Sequence, residues 1–193
     1  MKHLLLSILI LAGSSIVAQV PDSVTMYDVS DKNPFGLLNP TAPPQTADFA
    51  ELIGTCHCKS VTRNPDKTWA DTTTMTWTWK YIMNGTAVQD EVWRPDGRYA
   101  GSIRQYHTDS ASWVVSYYSY PGASWSLGTW HGNREGNQIL LYKPQQAPNG
   151  MDGFHKITFS EIRNDGFNWK GEWVDPTESF SYPTWMIFCT RQN

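Results

Sequence analysis

Charge is scarce in this sequence. Asp, Glu, Lys and Arg make up 17% of its 193 residues and leave a net charge of −3 at pH 7. A nucleic-acid partner is therefore not expected, because nothing supplies the basic surface that phosphates require. Cysteine is scarcer still, at three residues, too few for a scaffold built from disulfides. No apolar run approaches the ~20 residues of a spanning helix, so no membrane span is expected. Long amphipathic helices are missing, as is the Ala, Glu, Lys and Leu surplus of a coiled coil. Gly-x-Ser-x-Gly elbows and Gly-rich phosphate loops are absent too, and no cofactor is expected.

What the chain has instead is aromatic rings. Ten Trp, nine Tyr and seven Phe bring the aromatic share to 13%. So many large rings with so little charge exclude a disordered chain. All of them except Tyr27, Phe35 and Phe49 lie at or beyond Trp69, which divides the chain into unequal parts.

Residues 1–18 read as a secretory signal peptide. Lys2 and His3 give a positive start, Leu4–Ala12 an apolar stretch, and Ala18 a small residue at the cleavage position. Ser14 stands where a lipid-bearing Cys would be needed, so no lipid anchor is expected. The expected mature protein is secreted or periplasmic. Residues 19–47 read as an irregular arm, since Pro21, Pro34, Pro40, Pro43 and Pro44 break regular elements. A tether or a strap over the domain fits it. Phe49, Leu52 and Ile53 are spaced for a short helical turn over Ala47–Leu52, before Gly54. Residues 48–193 then form the domain.

In that domain the period becomes two. Met75, Trp77, Trp79 and Tyr81 share one face of a strand, and Thr72, Thr74, Thr76 and Thr78 share the other. Asn84-Gly85 marks a hairpin. Further strands are expected over Thr55–Arg63, Thr86–Trp93, Tyr99–His107, Ser112–Tyr120, Trp125–His131, Gln138–Lys143, Phe154–Ile162, Phe167–Val174 and Trp185–Arg191. Turn residues separate most of them, including Asn133–Gly136 and Asn164-Asp165-Gly166. This is an all-β, antiparallel up-and-down meander. Eight to ten such strands close into a barrel, because closure removes free edges; a two-layer sandwich is the alternative.

Export would place Cys56, Cys58 and Cys189 in an oxidising compartment. Cys56 and Cys58 share a strand face, so a bridge between them would be strained. Either can pair with Cys189 if the first and last strands are neighbours. A Cys56-His57-Cys58 metal clip is disfavoured, since His57 points to the opposite face, and no metal is expected. His57, His107, His131 and His155 fall on four different strands at no metal-binding spacing.

The segment Phe49-Ala50-Glu51-Leu52-Ile53-Gly54-Thr55-Cys56 resembles the opening of lipocalin-like (calycin) barrels. There a helical turn leads to a Gly-x-Trp start of the first strand; here Cys56 stands at the Trp position. In calycins an Arg near the end of the last strand packs across that Trp, and Arg191 stands at the matching place. The runs Tyr81–Glu91, Gly101–Tyr106, Trp113–Tyr118 and Phe167-Asn168-Trp169 resemble an uncharacterised family of secreted bacterial proteins with such barrels. The likeness covers about residues 49–191. It implies a lipocalin-like closed barrel and no particular activity.

Two groups of residues are candidates for function. Trp77, Trp79, Tyr106, Trp113, Tyr117, Tyr118, Trp169 and Trp173 alternate along strands and could line a pocket for a small hydrophobic or aromatic ligand. Arg104 lies inside a strand with Ser102 and Tyr106 on its face. Asp90 and Glu91 point to opposite faces, so one of them can meet Arg104 inside. Glu172 shares a face with Lys170 and Val174. A binding protein is the first reading. The second is an acid–base enzyme of isomerase or lyase type, with Asp90 or Glu91 moving a proton and Arg104 holding an anion. The third is a structural or partner-binding module whose arm makes the contact.

Overall fold

The computed structural model describes residues 24–191. The expected signal peptide and the first residues of the arm lie outside the described residues. Ten strands follow one another around a single antiparallel ring: β1 (Gly54–Thr62), β2 (Thr73–Ile82), β3 (Ala87–Trp93), β4 (Tyr99–His107) and β5 (Ser112–Tyr120), then β6 (Gly128–Glu135), β7 (Gln138–Pro144), β8 (Phe154–Arg163), β9 (Gly166–Val174) and β10 (Ser181–Thr190). Each pairs with its successor, and β1 pairs with β10, so the barrel is closed. The fold is of the calycin type. Two flat layers are excluded by that last pairing.

Alternation decides what goes inside. Cys56, Cys58 and Ser60 of β1 and Met75, Trp77, Trp79 and Tyr81 of β2 are buried, while the Thr residues between the β2 aromatics face outward. In β1 the register sets Cys58 directly opposite Cys189, and these two form the disulfide. Cys56 is left as a buried thiol. With Cys58 bonded and His57 outside, the metal clip is gone. Among the described residues no three His, Cys, Asp or Glu converge on a metal position, and no helix is long and apolar enough to cross a membrane.

Three elements differ from the sequence reading by three or more residues at one end or both. β6 was expected over Trp125–His131 but runs from Gly128 to Glu135. Trp125 stands fully exposed in the preceding loop, whereas Asn133 and Arg134 pair with Leu140 and Ile139. The turn there is confined to Gly136-Asn137, where Gly136 takes a positive φ. β10 begins at Ser181, four residues early, because a bulge between Pro183 and Trp185 accommodates a proline that cannot donate to the ladder. The helical turn is a 3-10 helix that starts at Pro44 rather than Ala47. Proline is harmless at the first helical position, where its missing N–H would have had no partner.

That 3-10 helix plugs one end of the barrel. Phe49 and Leu52 are fully buried there. Arg191, at the end of β10, donates to the Glu51 carbonyl (2.6 Å), and Arg134 pairs with Glu51 (2.8 Å). The preceding arm is strapped across the β2–β3 turn. Tyr27 N donates to Asn84 Oδ1, Asn84 N to Asp28 Oδ1 and Asn39 N to Gly85 O. Gly85 has φ +78°, and a Cβ on it would lie 2.2 Å from the Leu37 carbonyl oxygen. Only glycine satisfies both the turn and the strap.

Candidate functional site

Filled and hollow halves divide the interior. At the plugged end Phe49 sits among Trp79, Trp113 and Phe159, with ring centroids 4.8–6.2 Å apart. Trp113 donates through Nε1 to Asp48 on the plug (2.9 Å). Burial pushes the Asp48 carboxyl above its ordinary range. Tyr106 packs edge-on against Trp113 at 5.6 Å. These rings fill the end that ten strands would otherwise leave empty.

Above them lies the charge pair. Arg104 donates to Asp90 Oδ1, and both side chains are almost wholly buried. Trp77 Nε1 donates to the other oxygen, Oδ2, at 2.7 Å. Arg104 also lies over the faces of Trp79 (4.3 Å) and Phe49 (5.2 Å). Its Nε and the Trp79 Nε1 have no hydrogen-bond partner among the described residues. Such a desolvated pair holds together only because charge, hydrogen bond and ring face all meet it.

Beyond this floor the barrel is hollow. A cavity of about 390 Å³ runs to the other end. Its floor is Trp77, Asp90, Ser102, Arg104 and Phe159, and its waist is aliphatic and aromatic, with Val92, Val115, Leu141, Ile157 and Trp169. Tyr117, Trp130, His155, Trp185 and Arg94 stand nearer the mouth. Gly171 leaves room here: a Cβ on it would lie 2.7 Å from the Trp169 ring and 3.3 Å from His155 Nε2. Burial pushes the Tyr117 phenol above its usual range, so it stays a donor. Trp130 Nε1 donates to His155 Nδ1 (3.1 Å), which leaves the imidazole proton on Nε2. Burial, helped by the Lys143 charge, pushes His155 down to about 4.

The expected site residues separate into groups. Trp77, Arg104, Tyr117 and Trp169 line the cavity together with Asp90. Trp79, Trp113 and Tyr106 belong to the packing beneath it. Trp173 is bound to the β7–β8 loop, donating to the Gln145 carbonyl (2.9 Å). Tyr118 lies on the outer wall, where its hydroxyl accepts from Gln89 Nε2 (2.7 Å). Glu91 is outside as well, paired with Lys80 at 3.2 Å. Alternation forces this once Asp90 is inside. Glu172 is buried on the outer wall, where it pairs with Lys170 (2.7 Å). The acid–base reading therefore loses Glu91 from the cavity. It keeps only Asp90, both of whose oxygens already hold donors. His155, Trp130 and Arg94 are the residues sequence reasoning missed. The alternation His155-Ile157-Phe159, continuous with a buried face, was the available signal for the first.

No family model matches the chain, and no curated protein matches it.

Proposed function

We propose that the protein binds a small apolar or aromatic molecule in the open half of the barrel, as an exported carrier or receptor. One observation carries this reading: the barrel is filled with rings at one end and left hollow at the other, with an apolar waist between polar floor and mouth. A fold-stabilising core has no reason to stop halfway, since interiors otherwise pack to crystal-like density. The leader-like residues 1–18 and the likeness to secreted lipocalin-like barrels support export.

Affinity would come from burial. Ten methylenes contribute about 8 kcal/mol gross at about 0.8 kcal/mol each. Association costs at least ~4 kcal/mol of that, which leaves at most about 4 kcal/mol from burial, a dissociation constant on the order of millimolar, and oriented polar contacts must supply anything tighter. The cavity volume corresponds to roughly a dozen waters' share of liquid, so ligands of about a dozen heavy atoms suit it.

Titration with decanol and 2-naphthol, read by tryptophan fluorescence, tests the reading. Saturable one-to-one quenching is expected, abolished by Val115→Phe, which fills the waist. Absence of saturable quenching by either probe would refute the proposal. Native mass spectrometry of protein from its own host would show the resident molecule directly.

A further inference from the structure

We infer that the bound molecule carries an anionic head, a carboxylate or a comparable group, drawn to a barrel mouth that carries the charges of Arg94 and Lys143, while its apolar body fills the cavity. The inference rests on the ligand-binding reading above and adds the ligand's charge and orientation.

The charges around the cavity are unbalanced. Asp90 is the one carboxylate among the lining residues, against Arg94, Arg98 and Arg104, although the whole chain is net negative. Two of the three arginines are already matched. Arg104 is paired with Asp90, and Arg98 is held by Asp96 at 2.5 Å. Arg94 forms no salt bridge among the described residues. Its Nη2 reaches only the hydroxyls of Ser60 and Thr73, each at 3.5 Å, and its guanidinium lies 5.9 Å from the Trp185 ring centroid. Lys143 likewise has no carboxylate among the described residues. Its Nζ stands 4.4 Å from the ring centroid of Trp130, a cavity-lining residue.

Sequence position explains why both cations face inward. Arg94 continues the inward series Val88, Asp90, Val92 one step past β3, and Lys143 continues Ile139 and Leu141 on β7. The polarity of the barrel then orients the ligand. An anion at the floor would meet Asp90, whose charge repels it and whose arginine is taken. At the mouth it meets two cations that form no salt bridge among the described residues, and the donors of Tyr117 and Ser119 are close by. A guanidinium and an ammonium beside rings, in no salt bridge among the described residues, are suited to charge-assisted hydrogen bonds with a carboxylate.

The test compares ligands that differ only in the head: decanoate, methyl decanoate and decylamine, with naphthalene-2-carboxylate and its methyl ester as the aromatic counterpart. Binding to the mature protein is followed by tryptophan fluorescence and calorimetry at pH 7.5. The acid is expected to bind about tenfold more tightly than its ester, and the amine more weakly than either. Arg94→Gln and Lys143→Gln should each reduce the acid-to-ester ratio, and the double variant should bring it near one. Raising salt should reduce the ratio too. Whichever acid gains more from its charge identifies the body as alkyl or aryl. Esters that bind as tightly as their acids to the wild-type protein would overturn the anionic head and leave cavity binding standing. No saturable binding of any probe would overturn both. The wild-type comparison decides the matter even if a variant folds poorly.

Discussion

At the closed end of the barrel a cation lies over aromatic rings and is paired with a carboxylate; at the open end two cations lie near aromatic rings and form no salt bridge among the described residues. Arg104 is sealed between Asp90, Trp77, Trp79 and Phe49. Arg94 and Lys143 keep part of their surface in solvent. Each end holds an arginine, and the difference is desolvation. A cation removed from water must be matched within the protein, and the matched pair then serves the fold. A cation still touching water needs no such partner and stays available to a ligand. Buried charge at one end and accessible charge at the other are therefore different devices made from one chemistry.

Several perturbations would break or sharpen that contrast. The largest effect is expected from Asp90→Ala, which strands Arg104 in an apolar cage. Loss of about 3–5 kcal/mol of stability should follow, seen as a fall in Tm on the order of 10 °C. The paired replacement Asp90→Leu with Arg104→Met should recover most of it. A loss below about 1 kcal/mol would mean the charge pair does not govern this end.

Replacing both Cys58 and Cys189 by Ala should cost ~2–5 kcal/mol. The bridge spans a sequence separation of 131 and restricts the unfolded chain, while native strand pairing already holds β1 beside β10. Chemical denaturation with and without reductant would measure it. Equal stability in both would show that the seam is held by pairing alone.

At the mouth, His155 makes stability depend on pH. Its folded value of about 4 lies below the ordinary 6.5. Between these values the unfolded chain binds the proton and the folded one does not. The stabilisation is therefore complete above pH 6.5 and is lost as pH falls toward 4. Its size is roughly 2–3 kcal/mol. Thermal melts from pH 7.5 to 4 should show this slope, and His155→Gln, which keeps an acceptor for Trp130, should flatten it.

The smallest effect belongs to the mouth cations. Arg94→Gln and Lys143→Gln should each change stability by less than about 0.5 kcal/mol in the absence of ligand. A loss of several kcal/mol on either would place that residue with Arg104 as part of the fold.

Much of the architecture could be read from local pattern. The alternation Met75-Trp77-Trp79-Tyr81 identified an inward face, and Asn84-Gly85 a hairpin. Glycine and proline punctuation placed most strand ends within a residue or two. The misplaced start of β6 had a simple cause: Trp125 looked like strand and is a loop tip. Part of the candidate site was legible in the same way. Asp90, Arg104, Trp77, Tyr117 and Trp169 were all singled out, and all face the cavity. Tyr118 and Glu91 were singled out beside them and face outward, because parity tells which residues share a face but not which face is inside.

The sequence by itself determined the strands, their order and the sharing of faces, since these depend on period and turn chemistry over a few residues. It also narrowed the disulfide to two pairings. Only the tertiary structure decided between Cys56 and Cys58, because that choice is a matter of register between strands 131 residues apart in sequence. Only it decided which rings fill the barrel and which line the hollow, because a short 3-10 plug carries Phe49 into one end and, among the described residues, nothing equivalent enters the other. Depth along the barrel axis is set by closure of the whole sheet, and no local window of sequence contains it.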